Sequence, residues 1–208
     1  MHLHIADHPL VTHKVTKIRE KDTTTKEFRE LVDEISTFLC YEATRDAKTK
    51  QVNIETPVQA TTGSVIANKY TVIPILRAGL GMSDGVLRCF PTANTGYIGL
   101  ARDPETLLPI EYYKNLPPDV ANREVILVDP MVATGHSVGA AIDIIKASGV
   151  KSIKLLCLVS CPEGVAFLAE KHPDVKIYTA AHDSGLNEKG YIVPGLGDAG
   201  DRLYGTQH

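Results

Sequence analysis

The chain is poor in cysteine, with four thiols in 208 residues, and that scarcity excludes a disulfide-built scaffold. Cys40, Cys89, Cys157 and Cys161 are irregularly spaced and none makes the C-x-x-C pattern of a zinc site. Cys157 and Cys161 flank the end of an apolar run, the setting of buried thiols in a reducing compartment. No apolar run approaches the roughly 18 residues of a membrane span. The opening residues, Met1 to Asp7, have neither a basic n-region nor an apolar h-region, so the expectation is a cytoplasmic protein without a secretory signal. Strong charge of one sign is also missing. A net charge of −3 gives no electrostatic reason to expect nucleic acid as a main ligand. What remains, 43% hydrophobic and 23% charged residues, is the composition of a globular protein whose length fits one domain.

The most informative stretch runs from Val125 to Gly149. Val125 to Val128 are four consecutive apolar residues, the pattern of a strand covered on both faces, and Asp129 ends the run. Pro130 removes a backbone donor, so the strand is expected to stop there. From Ser137 the period changes: Val138, Ala141, Ile142 and Ile145 form a helical stripe, and Gly149 fits its C-terminal stop. The small or hydroxylated residues between, Ala133, Thr134, Gly135 and Ser137, let backbone N–H groups converge on a helix N-terminus, where an anion is favoured. A strand-end carboxylate beside such a cradle suits a phosphorylated sugar. The stretch is neither a Walker loop nor a dinucleotide turn. Gly135-His136-Ser137-Val138-Gly139 does match the nucleophile elbow of hydrolases in form, but six residues separate Asp129 from His136, whereas the elbow turns directly out of its strand.

Elsewhere the pattern alternates strand and helix. The segment up to Asp22 reads as an irregular, polar arm. His2 and His4 could face a metal from one strand, although a frayed or surface-packed terminus is the plainer reading. Thr24-x-x-Glu27 is a capping box that opens a helix to about Tyr41. Residues 48 to 63 suggest a hairpin interrupted by Pro57. Core strands are expected at 71–76, 95–101, 125–129, 153–159 and 175–180, with Tyr112 and Tyr113 on an antiparallel return and a helix opening at Pro162. This rhythm implies a parallel sheet with ligands at its carboxyl ends, three of which carry Arg77, Arg102 and Asp129. The tail from Gly185 to Gly205 holds six glycines in 21 residues, yet Tyr191-Ile192-Val193 and Leu196 anchor it, so it reads as an ordered flap over a small planar ligand.

Three blocks carry a family resemblance: Pro74 to Met82, Asp129 to Ser137, and Gly185-Leu186-Asn187 through Tyr191 to Asp201. With His8-Pro9-Leu10 and Tyr41 to Arg45 they resemble the uracil phosphoribosyltransferases over nearly the whole chain. The glycine-rich tail is the most specific element, because the phosphate-loop signature occurs in many phosphoribosyltransferases.

The resemblance implies an α/β fold, a five-stranded parallel sheet flanked by helices, with an N-terminal arm, helix and edge hairpin (1–65), a core (66–183) and a hood segment (184–208). It implies conversion of uracil and 5-phosphoribosyl 1-diphosphate to UMP and diphosphate. By motif, Asp129, Pro130, Met131, Val132, Ala133, Thr134, Gly135, His136 and Ser137 would bind the ribose phosphate. Arg77 and Arg102 would grip the leaving diphosphate. The backbone of Ile192, Gly197, Asp198 and Ala199 would read uracil, while Asp198 would also face the ribose and metal side of the sugar diphosphate and is the nearest candidate for a general base. Mg²⁺ would arrive on the sugar diphosphate, with no direct protein ligand, because Pro130 stands where many relatives carry a second acid. A homodimer or homotetramer is implied, and GTP activates some members. His136 departs from the small residue usual at its position. The rival readings are a regulator that senses UMP or binds RNA and a hydrolase using Ser137, Asp174 and His182.

Overall fold

The N-terminal stretch is not an irregular arm in the computed structural model, which describes residues 3–102 and 109–206. β1 (Leu3–Ile5) is a short strand and α1 (Pro9–Arg19) is a three-turn helix. The signals for α1 are local. His8 caps it by accepting from the Leu10 N–H at 3.1 Å, Pro9 occupies the first turn where a missing donor costs nothing, and Val11, Val15 and Ile18 form its buried stripe. His4 stacks on Tyr178 with ring centroids 4.7 Å apart; His2 lies outside the described residues.

α2 (Thr25–Ala43) begins at the expected capping box, with both reciprocal bonds between Thr24 and Glu27 present. β2 (Thr49–Glu55) and β3 (Ala60–Ile66) form an antiparallel ribbon, and Pro57 sits in its turn and interrupts neither strand. β4 (Tyr70–Leu76) leads into α3 (Leu80–Cys89). The expected strand at 95–101 is divided at Gly96 into β5 (Asn94–Thr95) and β6 (Tyr97–Arg102), and the Gly96 N–H still pairs with Val72 O of β4 at 3.0 Å. β7 (Pro109–Asn115) is the antiparallel return.

β8 (Glu124–Val128) ends at Asp129 as expected, but pairing does not stop at Pro130: β9 (Met131–Val132) resumes it. Proline lacks a donor and keeps its acceptor, and Pro130 O accepts from the N–H groups of Leu158 and Val159 at 3.0 and 3.1 Å. α4 (His136–Ala147), β10 (Ile153–Ser160), α5 (Pro162–Lys171) and β11 (Lys176–His182) follow. The tail forms β12 (Gly185–Leu186), β13 (Ile192–Val193) and α6 (Ala199–Tyr204).

The main sheet runs β1-β11-β10-β8-β4-β6-β7. Its centre is the expected set of five parallel strands, β11, β10, β8, β4 and β6, widened by parallel β1 at one edge and antiparallel β7 at the other. Both faces are covered, which is why every residue of β10 is buried. One layer joins α1, α2, α3 and α6 to the sheet, and the other joins α4 and α5 to it. In the second layer Val138, Ile142 and Ile145 are at most 2% exposed, each worth about 1.5–3 kcal/mol of burial. Among the described residues no helix is long and apolar enough to cross a membrane.

Candidate active site

The chain leaves β4 for β6 on one side and then crosses back to β8 on the other, so the sheet's switch point lies between β4 and β8. Ligands of open α/β sheets bind outside the carboxyl ends of the strands at such a crevice. Pro74 and Val128 are paired across it, which sets Arg77 and Asp129 just beyond the two strand ends that flank the opening. Arg102 closes β6, the next strand on the β4 side; its side chain, with residues 103–108, is outside the described set.

Asp129 is half-buried at the end of β8, where one carboxylate oxygen accepts from the Met131 N–H at 3.3 Å. Burial pushes this carboxyl up to about 7, and the Met131 bond offsets only part of the shift. Beyond it the loop reaches Gly135, which has a left-handed φ of +81° and starts α4 without a side-chain cap. The Gly139 N–H donates to Gly135 O at 2.8 Å, while the amides before it belong to the helix end that has no intrahelical acceptor. His136 and Ser137 are exposed in this first turn. The imidazole of His136 rests edge-on against Phe167, centroids 4.7 Å apart and planes at 80°. With its ring parked on α5, His136→Gly should leave kcat/KM within about threefold of the parent, less than the 1.36 kcal/mol of a tenfold change. Steady-state kinetics checks this, and a larger loss would assign the ring a positive role.

The start of α5 supports this loop, a role that no local pattern in the sequence marks. The Cys161 N–H donates to Val132 O at 3.2 Å and its thiol to Ala133 O at 3.1 Å. A Cβ on Gly164 would collide with Ala133 O and lie 2.9 Å from Val132 O. Backbone cannot move as a flexible side chain can, so Gly164→Ala should displace the loop and raise KM for an anionic sugar substrate about tenfold, on the scale set by small misplacements of a site. Steady-state kinetics with the sugar phosphate varied reads this effect.

The tail closes over the same opening. Tyr204 donates to Arg77 O at 2.8 Å, and the Arg77 guanidinium lies 5.8 Å from the Tyr204 ring centre. Gly200 approaches Ala78, and Leu203 covers Gly81. On the other side the Leu186 N–H donates to Glu163 at 3.1 Å, so the start of α5 supports both the loop and the hood. Gly79 lets the β4–α3 turn approach β8: a Cβ there would lie 2.5 Å from Val128 O and 2.6 Å from Ile75 O. Asp198 is exposed and caps α6 by accepting from the Asp201 N–H at 2.9 Å. Ile192 is buried, whereas Gly197, with φ +81°, is exposed beside Asp198. Arg19, Asp183 and Arg202, which hold the hood from beneath, carried no local signal in the sequence.

The hydrolase constellation is not assembled. His182 Nδ1 is 2.9 Å from Ser160 Oγ, while Asp174 pairs with Lys146 at 2.6 Å before the other end of β11. Among the described residues no cluster of three His, Cys, Asp or Glu side chains could hold a metal.

A parallel sheet with an acidic strand end and an uncapped helix start at its switch point is the architecture of a type I phosphoribosyltransferase. A solved hypoxanthine phosphoribosyltransferase of Staphylococcus aureus shares this fold at a TM-score of 0.52 and 13% identity, over 89% of this chain and 91% of that one. A solved protein of Aquifex aeolicus matches at a TM-score of 0.93 and 35% identity, covering 97% of each chain. The family model "Uracil phosphoribosyltransferase" matches residues 5–206. A uracil phosphoribosyltransferase of Geobacillus kaustophilus is 59% identical over 206 residues, 99% of each chain. The chain belongs to the uracil phosphoribosyltransferase family.

Proposed function

We propose that the chain transfers the 5-phosphoribosyl group of 5-phosphoribosyl 1-diphosphate to N1 of uracil, giving UMP and diphosphate in pyrimidine salvage. The observation that carries this reading is the glycine-rich tail docked across the switch point, with Tyr204 bonded to Arg77 O. In this reading the tail supplies a base subsite opposite the turn at Gly135, which takes the phosphate.

In this reading the Asp129 carboxylate accepts from the ribose hydroxyls, and the amides of Ala133 to Ser137 bind the 5-phosphate. Met131 and Val132 extend the strand beneath the sugar. Arg77 and Arg102 hold the diphosphate. The anomeric carbon gains positive charge as that group departs, so donors aimed at the leaving oxygens lower the barrier, and the hood keeps N1 in line. Backbone groups of Ile192 and of Gly197 to Ala199 pair with the uracil edge. Asp198 faces the ribose and is the candidate acceptor of the N1 proton. Cytosine reverses two hydrogen-bonding roles on that edge, and each mismatched buried group costs about 1–3 kcal/mol.

Phosphoribosyltransferases use Mg²⁺ with their sugar diphosphate, where the ion neutralises charge on the leaving group. The donor set here does not suit an all-protein cage, since Asp129 is followed by Pro130 and no three-ligand cluster occurs among the described residues. The metal in this proposal is bound through the substrate. The protein acts in the cytoplasm as a homodimer or homotetramer; the β2–β3 ribbon, exposed at all but one position of each strand, is too thin to be stable alone and offers a face to a second copy.

The test is base selectivity. Pure protein with the sugar diphosphate and Mg²⁺ should convert uracil at least about 30-fold more efficiently than cytosine, as two mismatched groups at about 1 kcal/mol or more each require. Equal use of both bases would refute hood-based recognition.

A further inference from the structure

We propose that the N-terminal helix is part of the base-binding apparatus, with Arg19 and Asp183 as positioning residues that fix the backbone on which uracil recognition depends. This rests on the reading that the hood binds uracil, and it assigns that role to residues far from the base. Asp183 directly follows β11, and its N–H donates to Ser160 O at 2.8 Å, which seats it on the sheet. Its carboxylate accepts a bidentate pair from Arg19, at the end of α1, at 2.6 and 2.7 Å. The same carboxylate accepts from the Gly195 N–H at 2.8 Å, while Arg19 donates to Gly195 O at 2.7 Å. One hood residue is therefore gripped by both its donor and its acceptor.

Gly195 needs that grip. Its φ is +63°, and a Cβ there would collide with Ile192 O, so the chain turns back on itself between the two proposed base-reading segments. The next carbonyl, Leu196 O, accepts from Arg202 at 2.8 Å. Arg202 also donates to Ile18 O and Glu20 O, both at 2.6 Å, and lies 4.3 Å over the Phe28 ring. Two guanidinium forks thus lock the end of α1 to the peptides immediately before Gly197, Asp198 and Ala199.

The Asp183 side chain is only 6% exposed. A buried ion pair contributes little net stability over apolar packing, and its best-attested use is to fix one geometry among several. Here the geometry fixed is a backbone turn whose hydrogen-bonding groups must meet a planar base, where a small displacement is costly. Asp183 stays below the usual carboxylate range despite burial, because Arg19 and the Gly195 N–H favour its ionised form.

The experiment compares Asp183→Asn, Arg19→Met and the conservative Arg19→Lys with the parent, measuring KM for uracil and for the sugar diphosphate, kcat, and hydrogen exchange of the free proteins. Asp183→Asn and Arg19→Met should raise KM for uracil about tenfold or more, leave KM for the sugar diphosphate within about twofold, and speed exchange selectively in residues 192–199, as loss of a shared charged clamp demands. Arg19→Lys should fall between, since an ammonium keeps the charge without the fork. An unchanged KM for uracil, or parallel rises in both KM values with a fall in Tm, would overturn the proposal by reducing the clamp to general support. If Arg19→Met does not fold, Arg19→Lys and Asp183→Asn decide the same question. Should the parent make no UMP, the functional reading fails on that result alone, whereas unaltered exchange in 192–199 would overturn the clamp independently.

Discussion

Asp129→Asn should lower kcat/KM for the sugar diphosphate about 1,000-fold, because hydrogen bonds from two ribose hydroxyls to a charged acceptor are each worth about 1.5–3 kcal/mol. The same change should stabilise the ligand-free protein at neutral pH. Burial raises the Asp129 pKa to about 7, against about 3.9 for an unperturbed aspartate. A raised carboxyl pKa means the folded state prefers the protonated form. The contribution is favourable below pH 4 and is lost as pH rises through 7, so ionised Asp129 destabilises the fold under working conditions. Allowing for its partial exposure, the cost is about 2 kcal/mol, or about 4–8 °C in Tm for a chain of this length. Thermal melts should show Asp129→Asn gaining that much at pH 8 and nothing at pH 4. Since the bound ribose needs the charged carboxylate, KM for the sugar diphosphate in the parent should also fall as pH rises from 6 to 8. A variant that loses stability at pH 8, or a flat KM profile, would contradict this reading of Asp129.

Arg77→Ala carries the second large effect. In the proposed mechanism Arg77 meets charge that develops on the departing diphosphate, and removing one such donor costs about 2.7–4 kcal/mol, or about 100- to 1,000-fold in kcat. The guanidinium also lies over Tyr204, but an exposed cation–π contact contributes only about 0.5–1 kcal/mol. Tm should therefore fall by no more than about 4 °C, at about 2–4 °C for each kcal/mol, while turnover collapses. Arg77→Lys should recover part of the rate, because the charge returns without the bidentate fork. A Tm loss large enough to unfold the hood, or a kcat within tenfold of the parent, would place Arg77 in a supporting role.

The pairing of these two residues could be approached from the sequence because each ends an apolar run, and strand order puts the two runs side by side. Capping and periodicity marked α2 and α4 for similar reasons: Thr24-x-x-Glu27 and the stripe from Val138 to Ile145 are local codes. The helix α1 had such a code as well, in His8, Pro9 and the stripe Val11, Val15, Ile18, but its polar surroundings obscured it. β9 has no signal of its own in the sequence, since Pro130 reads as a strand stop although its carbonyl still accepts. The supports of the site were less legible. Arg19 and Asp183 are 164 residues apart in sequence, and neither Gly164 nor Cys161 announces that it carries the carbonyls of Val132 and Ala133. Such contacts depend on the folded path of the chain, which residue periodicity does not encode. The tail's glycines could be read as an ordered flap, yet only the folded chain shows what orders it.

The most direct test of the central claim is to follow the reaction by phosphorus NMR with pure protein, uracil, 5-phosphoribosyl 1-diphosphate and Mg²⁺. Catalytic turnover should yield UMP and diphosphate in a one-to-one ratio, dependent on uracil and slowed about 1,000-fold at low sugar diphosphate in Asp129→Asn. No UMP, with tight UMP binding retained, would contradict the account and make the site a sensor.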